Sequence, residues 1–95
     1  MYIVASVWQI TGDEQEVLNR GRKMRDFLRS HPAVGFLHHF KTAPDEIMVV
    51  VGYNDEASYK ALISDPNGEF EKRLAEVSME DVARWKQSWK GESEE

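Results

Sequence analysis

The run from Tyr2 to Ile10 constrains the fold more than any other part of this chain. Tyr2, Val4, Ser6, Trp8 and Ile10 alternate with Ile3, Ala5, Val7 and Gln9, and both sets are largely apolar. Successive side chains of a strand point to opposite sides, so this pattern predicts a strand whose sheet is covered on both faces. Ile47, Met48, Val49, Val50 and Val51 repeat the message as an unbroken apolar run. A chain of 95 residues buries only about 60–65% of its unfolded surface, so one layer of helices and a second copy of the chain are the simplest covers.

Between these strands the punctuation is clear. Thr11-Gly12-Asp13 offers a helix N-cap, with Glu14 and Glu16 placed in the first turn. A helix from about Asp13 to Ser30 follows. Val17, Gly21, Met24 and Leu28 form its apolar stripe, widened by Leu18 and Phe27. Gly21 costs about 1 kcal/mol relative to alanine in a helix interior; the plain reading is a tolerated glycine in a packed helix, the alternative a close approach by a ligand. Arg20, Arg22, Lys23, Arg25 and Arg29 read as a solvated basic face.

His31-Pro32 ends the helix, because the residue before proline is pushed out of the α region. Gly35 opens a strand from Phe36 to Lys41, Ala43-Pro44-Asp45 reverses the chain, and Ile47 to Tyr53 returns as the second arm of an antiparallel hairpin. Asn54 or Asp55 caps a helix beginning Glu56-Ala57-Ser58-Tyr59. Asp65-Pro66-Asn67-Gly68 breaks it, and a helical segment resumes through Phe70, Leu74 and Val77. The spacing of Met79, Val82, Trp85 and Trp89 then predicts an amphipathic C-terminal helix over 78–90. Ser78 would be its N-cap, Asp81 would complete the capping pattern, and a frayed acidic tail would cover 91–95. Two tryptophans on such a helix predict an interaction surface.

Strand, helix, hairpin, helix is the order of a ferredoxin-like α+β fold, in which an antiparallel sheet carries its helices on one face. The expected whole is one domain over 1–95, a homodimer with its two sheets packed face to face. The 17 acidic and 12 basic side chains give a net charge of -5, which argues against nucleic acid and anionic membranes as partners. There is no cysteine, hence no disulfide framework and no thiolate metal site. No basic-then-apolar leader and no spanning apolar run is visible, so the expected location is cytoplasmic.

Pro32-Ala33-Val34-Gly35-Phe36, the Pro-Asp turn, the β run ending in Tyr53, Asp55-Glu56-Ala57-Ser58-Tyr59 and Ser64-Asp65 before Phe70 resemble the antibiotic-biosynthesis-monooxygenase-like group of dimeric α+β barrel proteins. The resemblance covers about residues 1–75. It implies a cofactor-independent monooxygenase acting on aromatic or polyketide-like substrates, or a non-catalytic ligand-binding or interaction module of the same fold. In that group a fourth strand follows the second helix, where this sequence reads as helical. Haem degraders of the superfamily use an asparagine, a tryptophan and a histidine at positions that fall on Ser6, Tyr53 and about Leu74, so the resemblance does not carry haem chemistry here and no cofactor is expected.

His38 and His39 are the catalytic candidates. Adjacent in a strand, they point to opposite faces and do not share one metal site within a subunit. Histidine is also the one side chain here whose ordinary pKa lies near neutrality. If the chain is an oxygenase, one of them serves as the base that deprotonates a phenolic substrate, with Ser6, Trp8, Phe36 and Tyr53 lining the pocket for a small apolar or aromatic ligand. His31, beside Pro32, reads as structural. No metal-ligand spacing, glycine-rich phosphate loop or nucleophile elbow is present.

Overall fold

The structure is a computed structural model that describes residues 1–65 and 68–94. Seven elements follow in order: β1 (Tyr2–Ile10), α1 (Glu14–Ser30), β2 (Val34–Ala43), β3 (Glu46–Tyr53), α2 (Glu56–Ser64), α3 (Glu69–Val77) and β4 (Ala83–Glu92). The strands form one antiparallel sheet in the order β2-β3-β1-β4. This is the α+β ferredoxin-like arrangement that the element order predicted.

The local signals behave as their chemistry requires. The Asp13 carboxylate accepts from the Gln15 N–H at 2.9 Å and caps α1. Asp55 accepts from the Ser58 N–H at 2.6 Å and caps α2, so of the two candidates it is Asp55 that does this. Of the break between α2 and α3, Pro66 and Asn67 lie outside the described residues.

The C-terminal segment corrects the reading of a helix over 78–90. Ser78 is the left-handed C-cap of α3, with φ of 40° and its N–H bonded to the Leu74 carbonyl. Met79 to Val82 make a tight turn, in which the Val82 and Ala83 N–H groups both reach the Met79 carbonyl. Ala83 to Glu92 then form β4, paired along β1 from Ile10↔Ala83 to Tyr2↔Glu92. Gly91 and Glu92, expected in a frayed tail, close the strand, and the Ser93 N–H still reaches the Met1 carbonyl at 2.8 Å. The fourth strand is therefore present. Its edge pairing satisfies a row of β1 backbone groups that a helix would have left open.

A bulge explains the misleading pattern in β4. Trp85 pairs with Trp8 and Gln87 with Val7, so Lys86 is an extra residue in the ladder. The bulge sends Trp85 to the face shared with Trp8 and Trp89 to the face shared with Ala5, although their spacing of four would put them on one side of a regular strand.

Register divides the sheet into two surfaces. The covered face carries Tyr2, Val4, Ser6, Trp8 and Ile10 of β1 with Ile47, Val49, Val51 and Tyr53 of β3 and Leu37 and His39 of β2. Helix residues Val17, Met24, Phe27, Leu28, Tyr59 and Leu62 pack against it. The open face carries Ile3, Ala5 and Val7, Met48, Val50 and Gly52, Phe36, His38 and Phe40, and Trp89. No described helix lies over it. Phe40 and Trp89 stand about half exposed there, at 50% and 49%.

Candidate functional site

The covered face does not bury one continuous core. Tyr2, Leu28, Leu37, Val51, Tyr53 and Tyr59 form one cluster, and Val17, Ile47, Val82 and Ala83 form another. Val49 touches both. Along the seam runs a single row across all four strands: His39 opposite Val49, Val49 opposite Ser6, and Ser6 opposite Ser88. Three of these four side chains are polar, on a face otherwise dominated by apolar groups.

The row is wired by hydrogen bonds. Ser6 and Ser88 share a hydroxyl–hydroxyl bond of 2.7 Å, and the Trp85 indole N–H donates to the Ser88 Oγ at 2.8 Å. Because β4 bulges at Lys86, Trp85 can lean back toward Ser88, three residues on, from the neighbouring row. Trp8 and Trp85 thus flank the serine pair from adjacent strands. His39 stands at the other end, two strand spacings or about 10 Å from Ser6, with Val49 as the floor between them.

Helix α1 roofs the His39 end. It makes its close approaches to β2 and α3 rather than to the middle of β1, and Arg29 donates to the Leu37 carbonyl at 3.2 Å. Burial, then the nearby charges of Arg25 and Arg29, hold the His39 pKa below the ordinary 6.5. The shift favours the neutral imidazole, the form that can accept a proton. His38 lies on the open face, exposed and stacked on Phe36 with ring centroids 5.4 Å apart. The adjacent histidines do take opposite faces, and His39 is the one under the helices.

The proposed lining residues separate. Ser6 and Trp8 join the His39 row and its neighbour. Tyr53 is on the same face but at its far end, opposite Tyr2, and six residues of strand, about 20 Å, separate Tyr2 from Trp8. It is 3% exposed and packs on Tyr59 at 4.9 Å, and burial, then Tyr59, push its hydroxyl pKa up to about 12. Tyr53 is a core residue. Phe36 is a correction: it faces the open side, where its ring lies over Gly52 in space that a β-carbon would occupy. The bulge at Gly35, where the ladder steps from Val34 to Phe36, sets this orientation.

The sequence reading missed Ser88 as a site residue, placed Trp85 on the wrong element, and assigned Arg25 to a solvated face. Ser88 and Trp85 were hidden by the helical spacing of the tryptophans. Two surface grooves lie elsewhere. One, of about 560 Å³, is lined by Arg20, Lys23, Glu76 and Asp81, and the other, of about 580 Å³, by residues of the α1–β2 link and α2. Neither reaches His39 or Ser6. In the first, Arg20 is already engaged by Glu16 and Asp81 at 3.0 and 2.6 Å. Among the described residues no cluster of three or more His, Asp or Glu side chains could hold a metal, and no helix is long and apolar enough to cross a membrane.

Comparison with known proteins supports the fold and stops there. No sequence-family model matches the chain, and no curated protein matches it significantly by sequence. Solved structures do match in shape. SnoaB, a cofactor-independent oxygenase from Streptomyces nogalater, superposes with a TM-score of 0.80 at 7% identity, covering 99% of this chain and 93% of its own. A structural-genomics protein, YjcS, gives 0.73 at 13% identity over 98% of both chains. An antibiotic biosynthesis monooxygenase gives 0.69 at 15% identity over the full length of both. The chain shares its fold with antibiotic-biosynthesis-monooxygenase-like proteins.

Proposed function

We propose that this chain is a cytoplasmic, homodimeric, cofactor-independent monooxygenase whose covered sheet face binds a small hydroxylated aromatic or polyketide-like molecule. The observation that carries the reading is the polar row at the seam of the split core: a partly buried histidine, an apolar floor at Val49 and a hydroxyl pair at Ser6 and Ser88. A fused aromatic ring system laid over Val49 spans the distance from His39 to Ser6, with Trp8 and Trp85 beside it.

In this reaction His39 takes the proton of a phenol or enol. Arg25 and Arg29 on α1 supply positive charge beside the resulting anion, and Ser6 donates to a substrate oxygen. The electron-rich anion itself reduces dioxygen, giving a hydroperoxide at carbon that loses water to leave a carbonyl. The hydroperoxide carbon gives up its remaining hydrogen as the O–O bond breaks, so one oxygen atom stays as the carbonyl, the other leaves as water, and the oxidation of that carbon from CH2 to C=O supplies all four electrons that dioxygen takes up. Homodimerisation through the open face would cover Ile3, Val50, Phe40 and Trp89, in keeping with the two apolar faces of β1 and β3.

The test is oxygen uptake with a hydroxyanthrone as probe. The parent chain should accelerate uptake, and His39→Ala should lower the rate by about 10²- to 10⁴-fold while His38→Ala retains it. Retained uptake in His39→Ala, or no acceleration by the parent over buffer, would count against the oxygenase reading. A non-catalytic ligand-binding module is the second reading, favoured by the two surface grooves, which lie away from His39 and Ser6; it expects binding without oxygen uptake.

A further inference from the structure

Arg25 differs from the other partly buried basic side chains. Arg20 is paired with Glu16 and Asp81, and the more exposed Lys41, Lys60 and Lys86 meet Glu14, Glu56 and Glu46. Arg25 is partly buried, yet among the described residues it makes no ion pair, and its guanidinium donates to the Leu18 carbonyl of its own helix at 3.0 Å. The surrounding charges offer little relief. Burial, then Arg29 and Arg22, lower its pKa from the ordinary 12.5, and Asp26 alone opposes them.

Gly21 explains how the side chain is held. One turn before Arg25 on the same helix, it leaves a notch in which the guanidinium lies, and a β-carbon at position 21 would meet Nη1 at 2.7 Å. A single neutral carbonyl is a weak partner for a planar cation with five N–H donors. A withdrawn cation without a counter-ion gains most from an anion that can use two donors at once.

Resting on the reading of the His39 row as a ligand site, we propose that Arg25 is a specificity-determining residue that selects aromatic ligands bearing a carboxylate. Arg25 leaves the Leu18 carbonyl, turns about its stem over the Gly21 notch and takes the carboxylate as a two-bonded pair, while the ring lies toward His39 and Val49. No bond is made or broken. The site therefore takes an aromatic acid, and the neutral isostere binds through its rings alone.

The experiment titrates 1-naphthoate and the neutral 1-naphthamide into the full chain, read by tryptophan fluorescence and calorimetry. The parent should bind the acid about ten- to a hundredfold more tightly than the amide, the scale of charge-assisted hydrogen bonds. Arg25→Gln should erase that margin, with a retained far-UV circular dichroism spectrum reporting an intact fold. Equal affinities in the parent, or an Arg25→Gln loss shared by acid and amide, would overturn the selectivity of Arg25 and leave the ligand site standing. Failure of both probes to bind the parent would overturn the ligand site and the inference with it.

Discussion

His38 and His39 are neighbours in β2, yet they sit in two different chemical worlds. His39 lies under α1, partly buried beside Arg25 and Arg29 and in line with Ser6 and Ser88. His38 lies on an open apolar sheet face, stacked on Phe36. The lesson is that one residue of strand, which costs no change in composition, separates a partly buried position beside basic side chains from an exposed one on an apolar face. The covered face is split by a polar seam, whereas on the open face His38 is the one polar side chain of the middle row, beside Val50, Ala5 and Trp89, and the hydrogen-bonded and ionic contacts lie at one end. There Lys86 meets Glu46 at 2.8 Å and Arg84 donates to Gln9 at 2.8 Å.

Substitutions on the two faces should separate accordingly. The largest effect is expected from Val50→Glu, which places a carboxylate in the centre of the open face. Sedimentation velocity should show a homodimer become a monomer, because burying an unpaired charge costs several kcal/mol. A parent chain that is already monomeric at micromolar concentration would remove the association half of the comparison.

Next in size, Tyr59→Ala on the covered side should lower unfolding stability by about 3–5 kcal/mol, since it strips contacts with both Tyr2 and Tyr53. Phe40→Ala on the open side should change it by about 0.5 kcal/mol or less at concentrations where the chain is monomeric. Urea unfolding of the two variants measures the contrast.

Much of this contrast was legible in the sequence and one part was not. The alternation of Tyr2 to Ile10 predicted two apolar faces, and adjacency alone predicted that the histidines diverge. Which histidine meets the helices depends on the pairing register of β2, and that is set by the extra residue at Gly35, which no periodicity announces. The same physics hid β4. A bulge adds one residue to a period of two, so Val82, Trp85 and Trp89 acquire the spacing of three and four that belongs to a helix. Ser88 was lost with it. Arg25 was hidden differently: within a basic run it looks like its solvated neighbours, and only its partial burial and the Gly21 notch set it apart.

A smaller effect follows from the seam itself. Ser88→Ala removes the partner of both Ser6 and the Trp85 indole and should cost about 1–2 kcal/mol, whereas Gln87→Ala, on the opposite face, should be close to neutral. Chemical unfolding of the pair resolves it.

The smallest expected effect is in pH dependence. Because the His39 pKa in the folded chain is held below its ordinary 6.5, its contribution to stability is complete above pH 6.5 and is lost as pH falls through the folded value. On the proposed reading, in which the neutral imidazole is the base, oxygen uptake should hold to the same point, and Arg25→Gln should move the acidic limb toward higher pH by removing one of the lowering charges. A limb unmoved by Arg25→Gln would separate that side chain from His39.

The central claim is that ligands enter the covered face and leave the open face to association. The three tryptophan indole N–H resonances test it directly, since Trp8 and Trp85 lie on one face and Trp89 on the other. On titration with 1-naphthoate, the Trp8 and Trp85 signals should shift together with the His39 ring while Trp89 and His38 stay in place. Shifts confined to Trp89 and His38 would contradict the account.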